Sequence, residues 1–403
     1  MAISHENSVP KKAGKIQGII VILIGLLPMM AIVVLMPVVP ALRDNFKDVP
    51  YILTLAPLVL SAPGLCIALF SPYAGYLTDK LGRRGLLQIF MFLYGIGGIL
   101  PFFLDSFTAL FGGRLILGIG EAFILTISNT LLGDYFNESE RSSWLMWQTL
   151  LQALFGVSLL SFSGYLSGIS WQYPFLIYSF AFILMVGAYF FIFEPKKVNK
   201  KALEIERLAN DTLKFPAKMV FRITLTTLVA ATLYFIYTLH FSLALDEMGI
   251  TNGQDIGNYS AIASLGIPIG AILFKLISKR SNRFQFACLF ILIGIGLIGI
   301  GLALNIHSVI ASAFVQQLGS GMAIPILIAW ALREVPAEFR GRGMGFWTSG
   351  LFLGQFISPF AVSGMRMITG DLLSAFVVFG IICIVIAFAN WFFGKKENII
   401  LNI

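Results

Sequence analysis

Charged residues are scarce in this sequence of 403 residues: they make up 12% of it, while hydrophobic residues make up 58%. The mean hydropathy of +0.87 is far above that of soluble globular proteins. Cysteine is also rare, because Cys66, Cys288 and Cys383 stand singly in three separate apolar runs. This spacing excludes a disulfide framework and a cysteine-based metal site. The composition therefore predicts a membrane protein.

Several functional motifs are missing as well. The sequence contains no glycine-rich loop of the ATP-binding type and no His/Cys/Asp cluster with the spacing of metal ligands. We therefore predict that the protein is not an enzyme, needs no cofactor or metal, and does not use ATP. Alternating segments of about ten residues, which are typical of membrane β-barrels, do not occur either.

Long apolar runs are abundant, and a bilayer core about 30 Å thick needs roughly 20 apolar residues per helix. Twelve such runs are predicted as membrane helices. They cover residues 16–39, 51–73, 85–104, 107–132, 142–168, 173–193, 219–245, 255–278, 284–304, 307–332, 343–368 and 371–393. The expected fold is all-α, with six-helix bundles at 16–193 and 219–393. A polar loop at 194–218 joins them, and tails at 1–15 and 394–403 flank them.

The basic residues lie almost entirely on one side of these helices. All but four of the 28 Lys and Arg residues fall in the tails and in the loops that share their side. Arg43, Lys47 and Arg366 fall on the other side, and Arg114 falls inside the fourth helix. By the positive-inside rule, both termini are predicted to be cytoplasmic. The net charge of +8 is thus explained by membrane topology, and no nucleic-acid partner is expected.

The most concentrated charge of the first half lies in the stretch Gly75-Tyr-Leu-Thr-Asp79-Lys80-Leu-Gly82-Arg83-Arg84, between the second and third helices. This stretch, with its spaced glycines and one acid among basic residues, resembles motif A of the major facilitator superfamily. The resemblance implies two six-helix halves around a central cavity. It also implies a cytoplasmic latch between the halves, to which Gly75, Asp79, Lys80, Gly82, Arg83 and Arg84 would contribute.

The second half contains a partial copy of this stretch. With a shift of 196 residues, Arg83 and Arg84 fall on Lys279 and Arg280, whereas Lys275 stands opposite Asp79. An internal repeat is expected in such transporters. The halves are therefore predicted to be related but not equivalent, with the complete motif only in the first.

The fourth helix carries two charges, Arg114 and Glu121, seven residues apart on one face. Charges inside a membrane are expensive and usually functional. Arg114-x-x-x-Gly118-x-Gly120 resembles the superfamily's motif B, whose arginine is linked to proton coupling in antiporters. Burial disfavours an ionised carboxylate and a guanidinium favours it, so such a site could exchange a proton for cargo. Binding of a charged substrate group and purely structural bonds to backbone carbonyls remain alternatives.

Polar and aromatic side chains on other helices are candidates for the substrate cavity. They are Asn129, Gln148, Gln152, Tyr234, Tyr237, Phe241, Gln316 and Gln317. By the resemblance, helices one, four, seven and ten face the cavity. Hydrogen bonds between helices and ordinary aromatic packing are the alternative roles for these residues.

The resulting hypothesis is a monomeric secondary transporter in the inner membrane of a bacterium. It would work by alternating access and couple protons to the export of a small drug-like or lipophilic compound. Helix five has Gly156, Gly164 and Gly168 but lacks the glycine-proline motif C of drug antiporters. Proton-coupled uptake or exchange of a metabolite is the alternative within transport. A membrane sensor on the same fold is the alternative outside it.

Overall fold

The structure is a computed structural model that describes residues 13–195, 215–336 and 339–393. In these ranges every regular element is helical, and twelve helical segments are long and apolar enough to cross a membrane. We label them α1 to α12. Their bounds are Lys15–Asn45, Ile52–Thr78, Arg83–Phe103, Phe107–Tyr135, Ser143–Ile169, Tyr173–Phe191, Ala217–Glu247, Gly253–Ile277, Asn282–Gly301, Ile306–Glu334, Arg340–Thr369 and Leu372–Phe392. The predicted all-α fold with twelve spans is confirmed.

The first span, α1, is interrupted at its prolines. It divides into α-helical segments at Lys15–Ile24, Leu27–Val33 and Val39–Asn45, with a 3-10 turn at Met36–Val38. Proline removes a backbone donor and so leaves carbonyl groups within the helix unpaired. In a membrane these carbonyls must find partners elsewhere in the protein, and side chains of α4 and α5 supply some of them, as described below.

Helices within each half pack closely through glycine. A Cβ added to Gly97 of α3 would lie 2.7 Å from the carbonyl oxygen of Gly113 in α4. In the second half, a Cβ on Gly294 of α9 would lie 2.7 Å from the carbonyl oxygen of Gly380 in α12. Membrane helices associate by such van der Waals contacts, since burial from water does not drive them together.

Twelve alternating spans place the loops at two ends of the bundle. The end with the α2–α3, α4–α5, α8–α9 and α10–α11 loops carries most of the basic side chains, and we call it the basic end. The other is the opposite end. Residues 1–12, 196–214 and 394–403, which include most of both tails and of the 194–218 loop, lie outside the described residues.

Candidate functional site

Arg114 is fully buried in the first half and joins four helices. Its Nε donates to the carbonyl of Val59 in α2 at 3.1 Å, and its Nη1 donates to the Tyr178 hydroxyl of α6 at 3.0 Å. Its Nη2 donates to the carbonyl of Ala31 in α1. Val59 precedes Pro63 by four residues, so its carbonyl lacks the usual helical donor. Arg114 thus supplies that donor.

Glu121 lies two turns further along α4 with only 3% of its surface exposed. Its Oε2 atom has no hydrogen-bond partner among the described residues. Arg114, Cys66 of α2 and Tyr94 of α3 are all within electrostatic range of the carboxyl group. The Tyr94 hydroxyl itself donates to the carbonyl of Leu27 at 2.6 Å. The site therefore combines an arginine that donates to two carbonyls and a hydroxyl with a carboxyl group whose Oε2 atom has no described partner.

The eight cavity candidates divide by exposure. Asn129 is exposed, and Gln148, Gln152 and Tyr234 are partly exposed. The Gln152 side-chain amide donates to the carbonyl of Gly25 at 2.9 Å, at the first break in α1. This bond matches the packing role that the sequence left open for Gln152.

The remaining four candidates are buried. Tyr237 and Phe241 stack on each other with ring centroids 4.4 Å apart, and the Tyr237 hydroxyl has no described partner. Gln317 donates to Ser264 of α8 at 3.4 Å, whereas neither amide atom of Gln316 has a partner among the described residues. Their role in a substrate cavity stays a prediction.

Sequence reasoning missed three further polar groups of this kind on α11. The indole N–H of Trp347, the Oε1 atom of Gln355 and the hydroxyl of Ser358 are buried without described partners. The Gln355 amide packs onto Gly64 of α2, with its Cδ 3.0 Å from where a Cβ would stand. Gly64 and Gln355 can both be read from the sequence, but only the fold shows that they meet across the two halves.

Contacts between the halves are concentrated towards the opposite end. Arg43 of α1 forms an ion pair of 2.5 Å with Asp246 of α7. The hydroxyl groups of Thr54 and Ser363 lie 2.5 Å apart. We call these residues the opposite-end contacts.

Glycine brings α5 and α8 together at the same end. A Cβ on Gly164 would lie 2.5 Å from the carbonyl oxygen of Gly253 and 2.8 Å from the Cα of Gly257. These atoms belong to the backbone and cannot move aside as a side chain could. Glycine is therefore required for this approach between the halves.

Motif residues at the basic end contact their own half. The Arg83 Nε lies 2.9 Å from Asp134 at the end of α4. Glu194 accepts from the backbone N–H groups of Arg83 and Arg84 at 2.8 Å each, where a negative charge suits a helix N-terminus. Gly82 begins this turn with a φ of +96°, which favours glycine. The Asp79 side chain lies outside the described residues.

Fewer described contacts join the halves towards the basic end, where the Ser349 hydroxyl of α11 donates to the carbonyl of Ala68 in α2 at 3.1 Å. A Cβ on Gly75 would meet no described atom within 4 Å, and about half of the surfaces of Trp147 in α5 and Phe346 in α11 is exposed. The described polar contacts between the halves are therefore more numerous towards the opposite end than towards the basic end. No group of three potential metal ligands occurs in the described part of the chain.

This arrangement defines a membrane transporter built from two six-helix halves, and comparison with known proteins specifies its family. The profile of the Major Facilitator Superfamily matches residues 21–308 and 223–399. The chain belongs to the major facilitator superfamily.

Relatives and solved structures agree with this assignment. The chain is 28% identical to tetracycline resistance protein class B of Escherichia coli over 190 residues, and that match spans 46% of each chain. It is 24% identical to the bacillibactin exporter of Bacillus subtilis, with 81% of this chain and 83% of that protein covered. The crystal structure of a D-xylose–proton symporter superposes with a TM-score of 0.75 at 14% identity, covering 94% and 99%. At that identity the symporter shows the fold alone.

Proposed function

We propose that this protein is a proton-coupled exporter of a small organic compound. The observation that carries the proposal is Glu121, a buried carboxyl group with one oxygen unpartnered among the described residues. A group in this position can take up and release a proton as water reaches it from alternate sides. The names of two relatives, a tetracycline resistance protein and a bacillibactin exporter, support the outward direction.

Arg114 has a supporting role in this proposal. Its guanidinium stays charged and holds α1, α2 and α6 around α4 through three described bonds. It therefore keeps a fixed positive charge near Glu121 while the carboxyl group changes its state. Substrate would then bind in the central cavity, among the polar and aromatic side chains of α4, α5, α7 and α10.

The basic end is assigned to the cytoplasm by the positive-inside rule. The conformation described here then opens inward, ready to accept cargo from the cytoplasm or from the inner leaflet. Transport requires that the opposite-end contacts separate and that the motif at Gly75 to Arg84 approach the other half. Both relatives named above come from bacteria, which supports placement in a bacterial cytoplasmic membrane.

The test uses purified protein in proteoliposomes with an imposed pH gradient and tetracycline as the probe. Glu121→Gln keeps the size of the side chain and removes the titrating group. We expect gradient-driven tetracycline movement to fall at least tenfold in this variant. Asp48→Asn, which alters an exposed carboxylate at the opposite end, should transport normally.

Two outcomes decide between the alternatives. Unchanged gradient-driven transport in Glu121→Gln would contradict the coupling role of Glu121. Tetracycline movement with the proton gradient rather than against it would instead favour uptake by symport.

A further inference from the structure

The second half contains a crevice of about 560 Å³. Side chains of α7, α9, α10 and α12 line it, all from the same half. The lining residues are Arg222, Leu225, Thr226, Val229, Ala230, Asn282, Arg283, Phe286, Phe290, Trp330, Glu334, Ile386 and Asn390.

The polar lining residues form a ring at the level of the basic end. Arg222 lies near the start of α7, Asn282 and Arg283 begin α9, Glu334 ends α10, and Asn390 lies near the end of α12. A ring at helix ends coincides with the headgroup region of a bilayer. The mouth of the crevice is therefore at the membrane surface.

The deeper walls of the crevice are apolar. Phe286 and Phe290, one and two turns into α9, are buried, and Val229 and Ile386 face the same space from α7 and α12. Val229 is also partly exposed to the surroundings, as is Leu225 one turn earlier. The crevice thus has a polar mouth and an apolar interior. These match the polar headgroup and the apolar acyl chains of a phospholipid.

The charge at the mouth favours an anion. Arg222 pairs with Glu334 at 2.6 Å through Nη2, and a guanidinium has further donors to offer. Arg283 adds a second positive charge, and Arg333 donates to Asn282 at 3.1 Å. Among the described side chains at the mouth, three guanidinium groups accompany one carboxylate, and guanidinium groups bind phosphate well.

In the first half, described contacts join the corresponding helices, α1 and α6. Gln17 of α1 donates to the carbonyl of Phe191 in α6 at 3.2 Å. Ile20 packs against Gly187, 3.2 Å from where a Cβ would stand. These contacts fill the space between α1 and α6 that remains open between α7 and α12.

We propose that this crevice holds one anionic phospholipid of the leaflet at the basic end. Its phosphate binds Arg222 and Arg283, and one acyl chain lies along Phe286 and Phe290. Basic pockets between membrane helices are suited to such headgroups. This proposal is independent of the transported compound and of the role of Glu121.

The test measures lipid retention by native mass spectrometry of the detergent-solubilised full chain, with phosphatidylglycerol and phosphatidylcholine supplied at equal concentration. We expect phosphatidylglycerol to be retained at least tenfold better. The double variant Arg222→Gln/Arg283→Gln should lose this preference, while Arg280→Gln should keep it. Arg280 is an exposed arginine at the same end that does not line the crevice.

A second variant tests the acyl-chain part of the proposal. Val229→Trp fills the interior and leaves both arginines in place, so it should also reduce retention of phosphatidylglycerol about tenfold. Circular dichroism and size-exclusion chromatography verify that each variant is folded. Equal retention of the two lipids, full retention by the double variant, or displacement of the lipid by millimolar inorganic phosphate would overturn the proposal.

Discussion

The two ends of the bundle differ in how the halves meet. At the opposite end, one ion pair, a pair of hydroxyl groups and the glycines of α5 and α8 join one half to the other. At the basic end, Arg83 and Glu194 form contacts within the first half. The described conformation therefore depends on contacts at the opposite end. Changes at the two ends should move the conformational equilibrium in opposite directions.

The three predictions on this conformational equilibrium use the same assay. Thr54→Cys and Ser363→Cys place two thiols where the hydroxyl groups lie 2.5 Å apart, in a background without Cys66, Cys288 and Cys383. The rate of disulfide formation then reports how often the opposite end is closed.

The largest expected effect comes from Gly164→Leu in α5. Its side chain would meet backbone atoms of Gly253 and Gly257. Overpacking of this kind costs about 3 kcal/mol at the upper end of its range, so the disulfide rate should fall roughly a hundredfold. Gly364→Leu is the control, because no described atom lies within 4 Å of that Cβ. An unchanged rate in Gly164→Leu would show that this approach does not hold the end closed.

Asp246→Asn should have a smaller effect in the same direction. The Asp246 side chain is only 6% exposed where it pairs with Arg43. Loss of a hydrogen bond to a charged group is worth about 1.5 kcal/mol, which is roughly tenfold in the disulfide rate. Asp44→Asn removes the other acidic partner of Arg43, which is 64% exposed, and should change little. Equal effects from the two variants would contradict the special role of the buried pair.

Asp79→Asn tests the basic end and should act in the opposite direction. If the motif closes that end in the outward-facing state, the loss of its acid favours the inward-open state. The disulfide rate should rise about threefold, since ion pairs near water contribute roughly 1 kcal/mol or less. Lys275→Gln, at the corresponding place in the second half, should leave the rate unchanged. Failure of Asp79→Asn to insert into the membrane would indicate a structural role instead.

The sequence predicts the twelve spans because hydropathy is a local property. It also locates the charged turn at Gly75 to Arg84, because spacing within ten residues is visible directly. The opposite-end contacts were not predictable in this way. Arg43 and Asp246 are 203 residues apart, and only the fold shows that the ends of α1 and α7 meet.

The polar groups inside the membrane illustrate the same limit. Pro63 predicts an unpaired carbonyl in α2, and Arg114 predicts a buried hydrogen-bond donor in α4. Their meeting through Val59 depends on how the two helices cross. Gln152 reaches Gly25 in the same manner. Such matches depend on three-dimensional packing, so the sequence leaves the structural and functional roles of each residue open.

The smallest expected effect concerns Asp371, which precedes α12 at the opposite end. Its carboxylate accepts from the backbone N–H and the hydroxyl of Ser374, each at 2.7 Å, and these bonds lower the pKa of Asp371 below its ordinary value. A group whose pKa is lowered on folding stabilises the protein above its unfolded value, about 3.9. That stabilisation is lost as the pH falls through the lowered value.

Asp371→Asn should therefore reduce the Tm of the detergent-solubilised protein at pH 7 by about 1–2 °C. The difference from the parent should shrink as the pH falls below 4, because the parent carboxylate then becomes neutral as well. Asp255→Asn, which alters an exposed acid in the first turn of α8, serves as the control for charge near a helix start. A Tm difference that stays constant from pH 7 to pH 3 would mean that Asp371 acts through its shape as an acceptor. In that case its charge would have no part in stabilising the start of α12.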